Sequence, residues 1–360
     1  MASQIRICVQ SMDGKMKKLK FIFSSLVIIL AILACANFSD FIKPDQAQSI
    51  PTTHPNESSK PTEETTPYSR IQTILLTEPP CGGNQEVRKE AILALNEYLK
   101  EDAVIWDEDL LTFYRNMMDL VASEINEPVT SGARIWSMYN HGFIIKTPST
   151  VFAFDLVNGY SGWDYQLPES ILAQIDVLFI SHRHTDHTDY SITRSIVGFG
   201  GEVVAPIEDK SVAFDIVYLS PDEEAIVAGL HVKAYDGLHG GVPLRIYEVT
   251  TPEGLTIMHT GDNQTSETLP DGVTVDILLL NAWVNESGSK PPTMGIKNSI
   301  TKMNPKLTIL GHIHELGHTY DPSSIYSRLP FEAPLAATEM SLPGEVSVQF
   351  WGEHCDFPIE

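Results

Sequence analysis

Cysteine, positive charge and long apolar runs are all scarce in this chain, and each shortage narrows what it can be. Four cysteines stand among 360 residues. Cys8 and Cys35 fall near the N-terminus, which leaves Cys81 and Cys355 as one pair that an oxidising compartment would allow to join. Lysine and arginine number 24 against 47 acidic residues, a formal charge of −23. Residues 1–35 carry Arg6 and four lysines against Asp13, a net +4, so −27 falls on the rest. Nucleic acid binds proteins largely through phosphate neutralisation, so such a surface argues against a nucleic-acid partner. Arg183, Lys290, Lys297 and Lys302 are the few cations available to a strongly anionic ligand. The uncharged, largely apolar stretch Phe21 to Ala34 is about 14 residues, short for a membrane span but right for a signal-peptide core.

What is abundant is histidine, and it is concentrated. Residues 182–187 read His-Arg-His-Thr-Asp-His, directly after the apolar run Asp176 to Ser181. The run reads as a buried strand. His182 and His184, two apart, share a face of extended backbone. Asp186 and His187 follow once the chain has turned, and can face a second metal. Imidazoles with a carboxylate suit zinc, and also iron or manganese.

This hexapeptide resembles the hallmark His-x-His-x-Asp-His of the metallo-β-lactamase superfamily. Further motifs follow in the family's order, each at the end of a strand pattern. Val151 to Asp155 resembles the early strand capped by a buried Asp. Leu230 to Gly240 contains His239, Leu255 to Asp262 ends in Gly261-Asp262, and Leu307 to His312 ends in a histidine. The resemblance covers about residues 131–350 and implies an α/β fold, a four-layered αββα sandwich. It implies two divalent metal ions, with His182, His184 and His239 on the first, Asp186, His187 and His312 on the second, and Asp262 bridging. A metal-bridging hydroxide would then attack a lactone, amide or phosphodiester, with Asp186 and Asp262 as catalytic carboxylates. Gly261-Asp262 and Gly311-His312 look closer to the ascorbate-6-phosphate lactonase-like and N-acyl-phosphatidylethanolamine phospholipase D-like branch than to true β-lactamases. No Cys stands where some β-lactamases place a second-site ligand, since Asp262 precedes Asn263.

Other polar residues are read beside these. Asp155 is expected to anchor a ligand imidazole or loop backbone rather than metal. His231, mid-strand, competes with His239 and is expected to be packed or paired. His259 is expected behind the ligands or in the core. His141, at a hairpin, could touch substrate or sit in a solvated turn. His314-Glu315-Leu316-Gly317-His318 matches the zinc-protease pattern His-Glu-x-x-His, which works only on a helix. Gly311, Gly317 and the preceding strand pattern oppose a helix there. These residues are expected instead to line the pocket mouth, Glu315 and His318 as substrate contacts or supports. A zinc metalloprotease and a non-catalytic metal-binding lipoprotein are the two alternatives.

The expected organisation is an exported enzyme on a tether. Residues 1–35 read as a signal, with Lys15 to Lys20 basic and Ile32-Leu33-Ala34-Cys35 resembling a bacterial lipobox. Cys35 would be lipidated; secretion or N-terminal anchoring are the alternatives. Residues 36–80 read as a disordered tether, since residues 36–69 are polar and Pro/Ser/Thr-rich. Residues 81–130 read as a helical extension, with apolar spacing from Glu90 to Lys100 and from Leu110 to Ile125. Residues 131–360 form the catalytic domain, with strands expected at 133–147, 149–157, 201–205, 243–250 and 275–281. A small-molecule or lipid-like substrate is the expected partner.

Overall fold

The computed structural model describes residues 66–209, 216–284, 293–324 and 327–358. The expected signal, the first part of the expected tether and Lys290 lie outside these residues. Among the described residues, no helix is long and apolar enough to cross a membrane.

Among the described residues, fourteen strands form two seven-stranded sheets. The first holds β1 (Ala133–Ser137), β2 (Phe143–Lys146), β3 (Val151–Phe154), β4 (Val177–Phe179), β5 (Glu202–Pro206) and β6 (Val217–Leu219). The second holds β7 (Glu224–Val227), β8 (Leu230–Asp236), β9 (Arg245–Thr250), β10 (Thr256–His259), β11 (Ile277–Asn281), β12 (Leu307–Gly311) and β13 (Glu345–Val348). The last strand, β14 (His354–Phe357), returns to the first sheet. Strand order is β14-β1-β2-β3-β4-β5-β6 in one sheet and β13-β12-β11-β10-β9-β8-β7 in the other. Each sheet has an antiparallel half, β14 to β3 or β7 to β10, and a parallel half, β3 to β6 or β10 to β13. The two sheets are thus structural repeats without sequence similarity. The expected strand over 133–147 is a hairpin, broken where Asn140 takes a left-handed φ of 59°.

Alternation along the strands explains the layering. Ile135, Phe143, Ile145, Phe152, Phe154 and Phe179 pack against Val232, Tyr247, Val249, Ile257, Leu279 and Ile309 of the facing sheet. Their neighbours Trp136, Ile144, Ala153 and Leu178 face outward into a layer shared with helices. Strands such as Val-Phe-Ala-Phe are therefore buried on both faces and read as continuous apolar runs. This is the expected four-layered α/β sandwich.

The expected tether needs correction. Its last part is a helix, Pro67–Thr77, capped by Thr66 and burying Tyr68, Ile71 and Leu75. Tyr68 stacks near Phe113 at 6.0 Å, so the segment belongs to the helical layer. Helices Gln85–Leu99 and Glu108–Glu124 complete that layer, the first capped by Asn84 and the second by Asp107. Helix Gln85–Leu99 buries Arg88, Ala91, Ile92, Leu95, Asn96 and Leu99, one stripe at helical spacing. Two of those six are polar, and both make specific bonds. Arg88 meets Glu353 and donates to the Val348 carbonyl at 2.9 Å. Nearby, Cys81 and Cys355 are joined in a disulfide, Cα atoms 5.4 Å apart. The layer is thus locked to β14 and the turn before it.

Candidate metal centre

The carboxyl ends of β3, β4, β8, β10 and β12 all point to one edge of the sandwich, where ligand-type residues collect. The crevice beyond strand ends is where layered α/β folds place their chemistry. His182 follows β4 by three residues and His312 follows β12 directly. Asp262 lies in a turn after β10, at Gly261 with φ 51°. Only glycine fits there, because a Cβ would stand 2.7 Å from the Ser181 Cβ. The short helix Tyr190–Phe199 begins just after the motif, with Asp189 accepting from the Ser191 and Ile192 amides.

Three groups of donors converge among the described residues; one, Asp155 with His182 and His187, lies behind the two that share Asp262. His182, His184, His239 and Asp262 each offer an atom within 4.8 Å of the others, and so do Asp186, His187, His312 and Asp262. Asp262 is common to both. Its Oδ2 is 3.8 Å from His182 Nε2 and 3.9 Å from His239 Nε2. The same oxygen is 3.2 Å from His312 Nε2, and Oδ1 is 3.1 Å from His187 Nε2. Asp186 Oδ2 is 3.1 Å from His187 Nε2 and 3.8 Å from His312 Nε2. Donors about 2.0–2.2 Å from a shared ion stand roughly 3.4 Å apart in a tetrahedron, so these separations suit a metal.

The polar accounting agrees. His182 Nε2, His312 Nε2 and Asp262 Oδ1 are buried without a hydrogen bond. Buried polar atoms are normally paired, so converging orphans fit a cation that completes them. Without one, the charges couple strongly. Burial and the neighbouring His187 push His182 down to about 3. Burial opposes charge on His312, but Asp262 and Glu315 push it up to about 9. His187 is likewise buried, yet Asp262, Asp186 and Asp155 hold it well above its ordinary value. Burial raises Asp262 and the two imidazoles override it, so its pKa falls well below the carboxylate range.

The supports behind these donors are specific. Asp155 is fully buried, accepts from the Ser181 amide at 2.7 Å and hydroxyl at 2.6 Å, and lies 2.7 Å from His187 Nδ1. That contact leaves His187 Nε2 toward the cluster, the arrangement that orients metal-binding imidazoles. Asn140 was not singled out from sequence. Its Nδ2 donates to Asp186 Oδ2 at 2.9 Å, and its carbonyl accepts the His312 amide at 2.9 Å. One hairpin residue therefore touches ligands from two separate loops.

The remaining expectations divide. His231 points to solvent and lies 3.4 Å from Glu224, away from the cluster, so His239 is the residue the fold brings in. His259 is buried, with Nε2 on the His141 carbonyl at 3.0 Å, and stacks on Phe154 at 4.6 Å. His141 is corrected: it is neither solvated nor at the mouth. It is fully buried, stacked on His259 at 4.3 Å and packed on Gly311, where a Cβ would come within 2.2 Å of its Nδ1. His314 is corrected too. It does not line the mouth but faces the helical layer, with Nε2 2.7 Å from Asn96 Oδ1. Residues 312–318 form turns, not a helix, and His314 and His318 share no candidate metal group. The zinc-protease reading fails on that geometry. Glu315 and His318 do stand at the mouth: Glu315 Oε2 is 3.0 Å from His318 Nε2 and 3.8 Å from His312 Nε2. Trp283, not foreseen, walls the same side, its ring 4.8 Å from His312 and 5.2 Å from His318.

Sheet order, layering and the strand-end cluster together define the metallo-β-lactamase fold. Among solved structures, the chain is similar to Igni18, a metallo hydrolase from the archaeon Ignicoccus hospitalis. That match has 15% identity and a TM-score of 0.50, covering 64% of this chain and 100% of the other. It is also similar to an isothiocyanate hydrolase from Delia radicum gut bacteria (16% identity, TM-score 0.46, 62% and 99% covered). A third is YhfI, a metallo-β-lactamase fold protein from Bacillus subtilis (12%, 0.44, 63% and 100%). No protein-family profile and no curated protein matches the sequence. At 15% identity the likeness to Igni18 speaks for the fold.

Proposed function

We propose that this chain is a metal-dependent hydrolase that holds two divalent ions, zinc or else iron or manganese. The observation that carries the reading is the pair of donor groups sharing Asp262. His182, His184 and His239 would hold one ion, and Asp186, His187 and His312 the other. Two ions so placed supply an acidified water and a Lewis acid for a carbonyl or phosphoryl group. The chain's own residues do the rest. Asp155 and Asn140 orient the ligands. Glu315 and His318 sit where a leaving group would receive or lose a proton. Trp283 gives the mouth an apolar wall, which suits a small-molecule or lipid-like substrate. The similarity to Igni18, a metallo hydrolase, supports the class.

Export to an oxidising compartment, with the N-terminal segment as signal or lipid anchor, is part of the same proposal. The Cys81–Cys355 disulfide supports it, since such bonds persist outside the reducing cytosol. The test is hydrolysis of a panel of lactones, esters, amides and phosphodiesters by protein loaded with zinc, iron or manganese. Turnover that chelation and Asp262→Ala both abolish is the expected result. Metal binding without turnover on any member would favour a scavenging role instead.

A further inference from the structure

We infer that Asn96, on the N-terminal helical layer, is a positioning residue for the second half of the metal centre, acting through the strained turn that presents His312. The inference rests on the binuclear reading above. His312 and His314 both adopt left-handed backbone, φ 61° and 53°. Two non-glycine residues of this kind within three positions persist only where their surroundings over-determine them. Three bonds do so. The His312 amide donates to the Asn140 carbonyl and the His314 amide to the Leu329 carbonyl, each at 2.9 Å. The third is His314 Nε2 to Asn96 Oδ1 at 2.7 Å, and it alone comes from outside the two sheets and their loops.

Asn96 is fully buried, and the same oxygen accepts the Phe331 amide at 2.7 Å. A backbone amide can only donate, so the oxygen is fixed at that place and His314 Nε2 must carry its proton. One atom thereby ties both limbs of the excursion that leaves β12 and returns at Phe331. Arg328 reinforces the tie, donating from Nε to the His318 carbonyl at 2.9 Å and from Nη1 to the Leu99 carbonyl. The helical layer thus braces the loop that carries His312 and His314 from behind. Asn96 itself touches no ligand, and the loops bearing His182, His184 and His239 do not bond to it.

Asn96→Leu keeps the branched side-chain shape and removes the acceptor. It leaves two buried N–H groups unpaired and lets the turn relax, carrying His312 from Asp186 and Asp262. Losing a partner bonded directly to a ligand weakens metal binding about 10–100-fold, and Asn96, one bond further back, acts toward the lower end of that range. Asn96→Asp keeps an acceptor for both donors and is the conservative control. Asn96→Ala replaces Asn96→Leu if the latter does not fold. The experiment titrates metal-free, full-length protein with Zn2+ against a competing chromophoric chelator. Wild type should bind two ions. Asn96→Leu should lose affinity for one ion by tenfold or more, with the other unchanged within about twofold, and Asn96→Asp should lie near wild type. Two wild-type affinities in Asn96→Leu, or a parallel loss of both, would overturn the positioning role. A wild type that takes up a single ion would overturn the binuclear reading, and this inference with it.

Discussion

Arg88→Ala should destabilise the protein more than any other single substitution in the helical layer, and the contact explains why. The Arg88 and Glu353 side chains are 2% and 3% exposed. The guanidinium meets both carboxylate oxygens and donates to the Val348 carbonyl at 2.9 Å and the Glu78 carbonyl at 3.2 Å. Without Arg88, the Glu353 carboxylate keeps only the Phe350 amide, at 2.6 Å. Removing one partner of a buried pair costs about 3–5 kcal/mol, most of it the penalty of the charge left behind. Spread over a domain of this size, that lowers the melting temperature by roughly 5–8 °C. Denaturant unfolding of Arg88→Ala, Glu353→Leu and the double variant gives the coupling. The double variant should be less destabilised than the sum of the singles, by about 1–3 kcal/mol. It should not recover fully, because the Val348 carbonyl and the Phe350 amide stay unpaired. An Arg88→Ala protein within about 1 kcal/mol of wild type would refute the reasoning.

The disulfide spans 274 residues, so chain entropy alone assigns it roughly 5 kcal/mol; Cys81→Ser should lower the denaturant midpoint, and an equal midpoint with and without reductant would contradict the bond. Because Asp262 pushes His312 up to about 9 in the metal-free protein, with His187 also raised, both carry protons near neutral pH. Zinc uptake should therefore release protons and weaken as pH falls, seen as a buffer-dependent heat in calorimetry; a buffer-independent heat would count against it. By the same linkage, a raised imidazole stabilises the fold below its ordinary 6.5 and stops doing so as pH rises through about 9. Metal-free protein should thus lose stability across that window, followed by thermal melts. Asp155→Asn removes one acceptor from the set shared by Ser181 and His187, and should weaken binding of one ion about 10–100-fold in a chelator competition assay.

Legibility in the sequence followed spacing. The 182–187 cluster stood out because its ligands are adjacent and follow an apolar run. His239, Asp262 and His312 were found by their order at strand ends, the last two directly after a run of buried residues. The failures lie where a side chain's direction depends on a turn. His141 looked like a substrate contact or a solvated turn and His314 like a mouth residue, yet one packs beneath Gly311 and the other turns to Asn96. Left-handed φ at Asn140, His312 and His314 decides those directions, and no periodicity encodes it. The helix Pro67–Thr77 was hidden by flanking polar composition, because its stability comes from Phe113 and its neighbours and not from its own propensity. A signal for Arg88 and Asn96 did exist. Both interrupt the apolar stripe of helix Gln85–Leu99, and a polar residue on such a stripe implies a buried partner.

The central claim is that two metal ions share Asp262. Elemental analysis of the purified protein, beside His184→Ala and His312→Ala, tests it most directly. The account predicts about two ions per chain, falling toward one in each variant. A single ion that neither variant disturbs, or none at all, would contradict it.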